Sequence, residues 1–359
     1  TGNEHVSEPK LCENNNISAH QDIRCSSDIT SLEHAGENFR SLTKAKNDSS
    51  VINSHESEPN GKKLAKSIGN STRKPADLKI AVVGMGIRFP SASTPDDFWE
   101  LLWEGRDAFR VIPAERRHSP LWRELTTGAA HQYEKGAFLD DIERFDPRPF
   151  GITDEEARYL DPQQRVFLEV CAEALDRASI ADQEVGVFAA SGDNEYGVRY
   201  LSSPDKVSRY SLLGGLRNMI AARVSQVFGF SGPALSVDTA CSASATAVHL
   251  ACESLRRGEC TSALAGGVQL TLSNQLYTYF SHAGLLSMKG ECRPFDSDAT
   301  GLVPGEGAAA VLLKPLEQSI ADGDDILAVI SSSAMNNDVG TLSGTAPSSA
   351  GQRKVIQTA

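Results

Sequence analysis

The sequence predicts a layered α/β fold over residues 78–359, and three observations support it. Short apolar runs typical of strands alternate with amphipathic patterns typical of helices along this part of the chain. The 359 residues are 40% hydrophobic and 23% charged, which is enough for one large domain with a sizeable core. The composition changes near Leu78, where polar sequence gives way to the first apolar run. The folded domain is therefore expected to begin there.

Residues 1–77 are rich in Asn, Ser, Glu and Lys, and Phe39 is their single aromatic residue. Such a segment cannot bury enough apolar surface to offset the entropy that a chain loses on ordering. We predict a disordered linker or docking segment. A passive solvated extension fits the same composition equally well.

The first predicted elements are a strand over residues 79–83 and a helix that begins after Thr94. Thr94 is a suitable N-cap, Pro95 suits the first helical position, and two acidic residues follow in the first turn. The apolar side of this helix is expected to consist of Phe98, Trp99, Leu101 and Leu102.

Two further helices are predicted before the next strand. Thr153 and Glu156 have the spacing of a capping box that opens a short helix, and Pro162 interrupts that helix. A helix over residues 163–178 follows, with Val166, Phe167, Val170 and Leu175 on its buried side. Later strands are predicted over residues 184–190, 262–268, 307–313 and 326–331.

The sequence Gly84-Met85-Gly86 follows a predicted strand, as the glycine-rich loop of a dinucleotide-binding fold does. The third glycine of that pattern is missing, Pro90 ends the turn, and no acidic residue closes a second strand at the expected distance. We therefore reject a nucleotide site at these glycines.

Cys241 lies where a strand is predicted to pass directly into a helix. Residues 234–237 are typical of a short buried strand, the helical pattern begins at Ser242, and Gly258 stands where a helix ends. The apolar face of this helix is expected to contain Ala245, Val248, Ala251 and Leu255. At a helix N-terminus the unpaired N–H groups and the macrodipole favour a thiolate, which is the nucleophilic form. On this pattern alone, Cys241 is either such a nucleophile or an inert buried cysteine.

The sequence Val-Asp-Thr-Ala-Cys-Ser-Ala-Ser at residues 237–244 resembles the active-site signature of the β-ketoacyl synthase (ketosynthase) domains of polyketide and fatty-acid synthases. Other motifs follow in the family's order from about Leu78 to the last residue. They are Val-Gly-Met-Gly-Ile-Arg-Phe-Pro at 83–90, Phe-Asp-Pro at 145–147, Phe-Gly-Ile at 150–152, Leu-Asp-Pro-Gln-Gln-Arg at 160–165, Ala-Gly-Leu-Leu-Ser at 283–287, Arg-Pro-Phe-Asp at 293–296 and Gly-Glu-Gly at 305–307. Several ordered motifs are far more specific than any one of them.

The resemblance implies a thiolase-like fold, in which two similar βαβαβαββ halves sandwich buried helices, and this chain would supply the first half and the start of the second. It also implies the β-ketoacyl synthase activity of a polyketide synthase. An acyl chain on Cys241 would undergo decarboxylative Claisen condensation with a malonyl-type thioester on an acyl carrier protein. No cofactor is expected to bind directly, because the phosphopantetheine arm of the carrier protein delivers the substrate. The other expected partners are a second copy of the chain and adjacent synthase domains.

In this family the condensation also uses two histidines, in His-Gly-Thr-Gly and Gly-His motifs, and a lysine. None of these motifs occurs in the sequence, so residues 78–359 are expected to be a ketosynthase domain truncated before them and inactive alone. His249 cannot substitute, because eight residues at roughly 1.5 Å per residue place it about 12 Å from Cys241 along the helix. We interpret His249 as a structural side chain and expect no catalytic role for His282.

Four residues besides Cys241 are expected to support the site. The backbone N–H of Cys241 would form half of an oxyanion hole, and Asp238 and Thr239 would shape the corner through hydrogen bonds to the backbone. Glu306 is either a solvated turn residue or, as the resemblance implies, a buried structural acid close to the active site. Phe295 resembles an aromatic residue near the acyl channel, although a core role is equally consistent with the sequence.

Composition excludes several other classes of function. The formal net charge of −12 argues against non-specific nucleic-acid binding, and no apolar run is long enough for a membrane span. Seven cysteines without regular spacing suit free thiols in a reducing, cytoplasmic location and match no zinc motif. The alternatives to a polyketide ketosynthase are a fatty-acid synthase condensing domain, a non-condensing decarboxylase and a non-catalytic docking homologue. The intact Cys241 argues against the last of these.

Overall fold

The computed structural model describes residues 78–125, 135–178, 180, 182–193, 195–201, 205, 207–338 and 346–359. The predicted linker or docking segment over residues 1–77 lies outside the described residues. Within them, no helix is both long and apolar enough to cross a membrane.

One mixed sheet organises the described residues. Its strands are β1 (Ile80–Arg88), β4 (Val185–Ser191), β5 (Ala234–Val237), β6 (Ser262–Gln269), β7 (Gly307–Pro315) and β8 (Ala328–Ile330), while β2 (Arg110–Val111) and β3 (Lys135–Gly136) form a separate pair. The order across the sheet is β5-β4-β6-β7-β1-β8. Strand β4 runs parallel to β5 and β6, whereas β7 is antiparallel to β6 and β1. The carboxyl ends of β4, β5 and β6 therefore lie side by side.

Helices cover both faces of this sheet. They are α1 (Pro95–Trp103), α2 (Ala114–His118), α3 (Pro120–Leu125), α4 (Asp154–Ala157), α5 (Pro162–Asp176), α6 (Glu195–Leu201), α7 (Ser211–Gly215), α8 (Met219–Phe228), α9 (Ala243–Arg257), α10 (Gln275–His282), α11 (Leu316–Asp322) and α12 (Ser349–Thr358). Helices α5 and α8 pack on one face, and α9 packs on the other. Alternation along β1 supplies both layers, since Ala81 and Val83 join the first core cluster while Ile80 and Val82 join the second. The predicted layered α/β fold is confirmed.

Helix α5 confirms its predicted buried side and shows why it starts where it does. The carboxylate of Asp161 accepts a hydrogen bond from the backbone N–H of Gln163 at 2.8 Å, so the helix begins at Pro162 rather than one residue later. Val166, Phe167 and Val170 are buried in the first core cluster, and Leu175 is half-buried against it. At the earlier helix, one half of the predicted capping box is present: the hydroxyl of Thr153 accepts the N–H of Glu156 at 3.1 Å.

The capping of α1 is confirmed, but its predicted apolar side is only partly correct. Thr94 and Asp97 form the reciprocal capping box, and Leu101 is buried. Trp99 and Leu102 are instead 65% and 54% exposed. Leu101 is the buried residue of this short helix, and the half-buried Phe98 packs on Phe89 with their ring centroids 4.8 Å apart. The remaining apolar side chains therefore face away from the sheet.

Two predictions about the strand and helix around Cys241 also need correction. Strand β5 has the predicted bounds but is exposed rather than buried, with Leu235 46% accessible, because β5 is the edge of the sheet and pairs only with β4 among the described residues. On α9, Ala251 and Leu255 are buried as predicted, whereas Ala245 is exposed and Ala247 takes its place against the sheet. The predicted face is therefore correct in the second half of the helix and wrong near its start.

Gly84 and Gly86 lie within β1, and the reason for both is a close contact with α5. A Cβ atom at Gly84 would lie 2.0 Å from the carbonyl oxygen of Ala174, and one at Gly86 would lie 2.1 Å from that of Val170. The two glycines therefore let the helix backbone rest directly on the strand. This packing role accounts for the pair without a nucleotide.

Gly84→Ala is expected to destabilise the fold by about 3 kcal/mol, because the added methyl group forces α5 away from β1. Chemical denaturation followed by circular dichroism measures this loss. Gly305→Ala is the matched control, since a Cβ there would make an ordinary contact at 3.6 Å with Ala137. Equal losses in the two variants would contradict the packing argument.

Candidate active site

The predicted corner at Cys241 is present. Strand β5 ends at Val237, and one turn of 3₁₀ helix, Ala240–Ser242, leads into α9 at Ala243. Cys241 lies in the middle of this turn with an exposed side chain. Because β5 is parallel to β4 and β6, the corner lies beside the carboxyl ends of all three strands. Ligands commonly bind at the carboxyl ends of parallel strands in α/β folds.

The backbone at the corner is unusual and is held by side chains. Ala240 has φ of +52°, in the left-handed region that residues with a Cβ rarely adopt. The carboxylate of Asp238 accepts the N–H of Ala240 at 3.1 Å. The hydroxyl of Thr239 lies 3.0 Å from that of Thr246 on α9, and Ser242 donates to the carbonyl of Thr239 at 2.9 Å. The structure thus brings Asp238 and Thr239 to the turn that holds Cys241.

The backbone N–H of Cys241 differs from its neighbours in the turn. The hydrogen bonds of the turn use the N–H groups of Ala240, Ser242 and Ala243, and not that of Cys241. A donor next to an exposed thiol, at the start of a helix, is suited to bind the oxygen of a thioester carbonyl attacked by that thiol.

Arg217 is a residue of this corner that the sequence analysis missed. It precedes α8, and its guanidinium donates to the carbonyl of Ser191 at the end of β4 and pairs with Asp238, both at 3.0 Å. Hydrogen bonding from the N–H of Ala240 and the charge of Arg217 hold the pKa of Asp238 below its ordinary value. Arg217 lies 21 positions before Asp238, and no motif in the sequence links the two.

Glu306 is buried and paired, so its interpretation as a solvated turn residue is wrong. Its carboxylate pairs with Arg116 at 2.8 Å and accepts the N–H groups of Leu139 at 2.8 Å and Thr271 at 2.9 Å. Arg116 in turn donates to the carbonyls of Leu139 and Thr271. Glu306 therefore joins α2, the segment after β3 and the segment after β6. None of these contacts reaches the turn at Cys241.

The structure contradicts a core role for Phe295. This residue is fully exposed and has φ of +67°, within a surface loop built from local turns such as the bond from Asp296 N–H to the Arg293 carbonyl. Local turns of this kind satisfy the hydrogen-bonding groups of the backbone without any contact with the core. An aromatic residue in such a loop is therefore not required to be buried. A position near an acyl channel stays a prediction.

The cysteines of the described residues divide into two groups. Burial raises the pKa of the thiols of Cys171, Cys252 and Cys260, which makes them poor nucleophiles. Cys241 and Cys292 are exposed. The inert buried interpretation of Cys241 is therefore wrong, and Cys292 is the thiol that competes with it for reagents.

The two histidines considered from the sequence are both engaged away from the corner. Nδ1 of His249 lies 2.9 Å from the hydroxyl of Ser333, beyond β8. Nδ1 of His282 lies 2.8 Å from the carbonyl of Thr278, one turn earlier in α10. These contacts agree with structural roles for both. In the described part of the chain, no three His, Cys, Asp or Glu side chains are grouped to hold a metal ion.

Most of this chain is similar in sequence to known proteins. Residues 77–319 match the family model described as the N-terminal domain of β-ketoacyl synthase. The chain belongs to the β-ketoacyl synthase family. Polyketide synthases are among the relatives of this ketosynthase chain. It is 43% identical over 286 residues to a phenolphthiocerol/phthiocerol polyketide synthase protein of Mycobacterium tuberculosis, covering 77% of the chain and 18% of that protein. It is 40% identical over 287 residues to a spectinabilin polyketide synthase system protein of Streptomyces orinoci, covering 78% of the chain and 8% of that protein.

Solved ketosynthases share the fold. The ketosynthase from module 6 of the bacillaene synthase of Bacillus subtilis 168 superposes with a TM-score of 0.68 at 36% identity, over 78% of this chain and 47% of that one. The oxazolomycin ketosynthase domain OzmH KS7 of Streptomyces albus JA3453 gives 0.71 at 33% identity, over 79% and 50%. The predicted thiolase-like fold is confirmed. The chain spans about half the length of these solved ketosynthases and less than a fifth of the mycobacterial relative.

Proposed function

We propose that this ketosynthase chain holds an acyl group on Cys241 during chain extension by a polyketide synthase. The observation that supports this most directly is an exposed thiol at a strand-to-helix corner, beside a backbone N–H that the turn leaves free. The thiolate attacks the carbonyl of an acyl thioester, the free N–H stabilises the oxyanion, and the thiol of the carrier leaves. The acyl group is then a thioester of Cys241.

Condensation follows on that thioester. The bond between the malonyl α-carbon and its carboxyl group breaks and releases carbon dioxide, and its electron pair becomes an enolate. The enolate carbon attacks the carbonyl held on Cys241, a carbon–carbon bond forms, and the thiolate of Cys241 leaves. Donors must stabilise the enolate, and His249 and His282 are engaged elsewhere. We assign that work to the histidine motifs of the family, so residues 1–359 alone are expected to be inactive in condensation.

The proposed partners follow from the same role. An acyl carrier protein delivers both thioesters on its phosphopantetheine arm, and adjacent synthase domains lie in the same assembly. One edge of β5 is unpaired among the described residues, and this edge, with the exposed Leu235, supports a homodimer in which a second copy extends the sheet. The free thiols of the described cysteines support a reducing, cytoplasmic location.

We place the domain boundary at residue 77, which agrees with the start of the family match, and keep residues 1–77 as a linker or docking segment.

A condensation assay with acyl and malonyl carrier-protein thioesters tests the proposal. The full-length protein is expected to form the β-ketoacyl product and release carbon dioxide, whereas residues 1–359 alone are expected to form no product. Carbon dioxide without a condensation product would favour the decarboxylase alternative. No reaction in the full-length protein would favour a docking homologue. Product from residues 1–359 would show that a residue of this segment does the work assigned to the histidine motifs.

A further inference from the structure

We propose that Arg217 is a positioning residue for Cys241. It fixes the carboxylate of Asp238, and through that carboxylate it holds the left-handed backbone of Ala240 immediately before the thiol. This inference rests on the proposed nucleophilic role of Cys241 and adds a residue that no motif of the family signature in this sequence contains.

Arg217 is itself fixed on two sides of the corner. Its guanidinium donates to the carbonyl of Ser191 at 3.0 Å, which ties it to the carboxyl end of β4. Its own carbonyl accepts the hydroxyl of Ser236 in β5 at 3.1 Å and the N–H of Ile220 in α8 at 3.1 Å. Side chain and backbone thus join the two neighbouring strands whose ends frame the corner. A guanidinium that contacts Ser191 and Asp238 at the same time, on a backbone that is itself bonded, has little freedom to reorient.

Asp238 transmits this fixed position to the turn. One carboxylate oxygen pairs with Arg217 at 3.0 Å, and the other accepts the N–H of Ala240 at 3.1 Å. Ala240 needs such support because its φ of +52° persists only where surrounding contacts hold it. The next residue in the chain is Cys241. Any rotation of the Asp238 carboxylate therefore acts directly on the peptide that presents the thiol and its N–H.

The pair differs from the ordinary surface ion pairs of this chain. Arg144 pairs with Asp141 at 3.3 Å across three positions, with both side chains more than half exposed. Such pairs join neighbours and fix little else. Asp238 is also 57% exposed, but the side chain of Arg217 is only 34% exposed, the two residues are 21 positions apart, and Asp238 is bonded to the turn itself.

Alkylation by iodoacetamide, followed peptide by peptide with mass spectrometry over a range of pH, tests this proposal in the full-length protein. Arg217→Met is expected to lower the maximal rate at Cys241 roughly tenfold or more, because the turn loses its fixed geometry. Arg217→Lys should not restore the maximal rate, since an ammonium keeps the charge but cannot contact Ser191 and Asp238 through two separate nitrogens. The matched control is Arg144→Met, which should leave the rate at Cys241 unchanged.

Cys292 is the internal control, because it is exposed in the same chain. A parallel loss at Cys292 and Cys241 would show general unfolding in place of positioning and would overturn the inference, as would an unchanged rate at Cys241. If Arg217→Met does not fold, Arg217→Lys decides by the same criteria. Acyl loading separates this inference from the proposed function. Failure of wild-type Cys241 to take an acyl group would refute the function, while an Arg217 effect on alkylation would still support the positioning role.

Discussion

Cys241→Ala is expected to abolish acyl loading and to lower condensation by roughly a thousandfold or more in the full-length protein, because no other group at the corner can form the thioester. The fold should be preserved, since the thiol is exposed and fills no cavity, and the free energy of unfolding should change by less than about 0.5 kcal/mol. Peptide mass mapping after incubation with an acyl thioester measures the first effect, and thermal unfolding measures the second.

Cys292→Ala is the matched control for this experiment. Both thiols are exposed, but Cys292 lies in a surface loop rather than at the start of a helix, so it lacks the adjacent free N–H of the corner. Its replacement should leave acyl loading unchanged. An acyl group mapped to Cys292, or to one of the buried residues Cys171, Cys252 and Cys260, would refute the assignment of the nucleophile.

Local pattern was sufficient for the elements around the site. The bounds of β5 and the end of α9 at Gly258 follow from residues within those elements, since strand propensity and a left-handed C-cap are local properties. Burial was harder to predict. Strand β5 is apolar enough for an interior strand, and its exposure follows from its place at the edge of the sheet, which the composition of four residues does not encode.

Long-range contacts explain what the sequence analysis missed at the site. Arg217 and Asp238 meet because α8 and β5 pack on the same strand, β4. The sequence analysis did not consider Arg116, because this residue lies 190 positions from Glu306, with which it pairs in the structure. In both cases the acid is in a recognisable motif and the cation is not. A sequence can therefore indicate that an acid is structural without indicating which cation neutralises it.

The buried Glu306 gives the largest expected effect on stability. Glu306→Ala should destabilise the protein by about 3–5 kcal/mol, because it leaves the guanidinium of Arg116 uncompensated in the interior. The side chain of Arg116 is only 7% exposed and that of Glu306 is fully buried, so water cannot replace the lost partner. The N–H groups of Leu139 and Thr271 lose their acceptor as well. Denaturant unfolding of the wild type and the variant measures the change.

A double-mutant cycle decides whether the ion pair is the cause. Arg116→Met leaves a buried carboxylate that keeps its two N–H donors, so it should cost less than Glu306→Ala but still more than about 1 kcal/mol. The cycle uses Arg116→Met and Glu306→Gln, measured singly and together. The double variant removes both charges and keeps an acceptor for one N–H, so it should be more stable than the sum of these two single changes predicts. Strict additivity would mean that the two side chains stabilise the fold independently. A loss confined to Glu306→Ala would place its role in the two backbone N–H groups rather than in the ion pair.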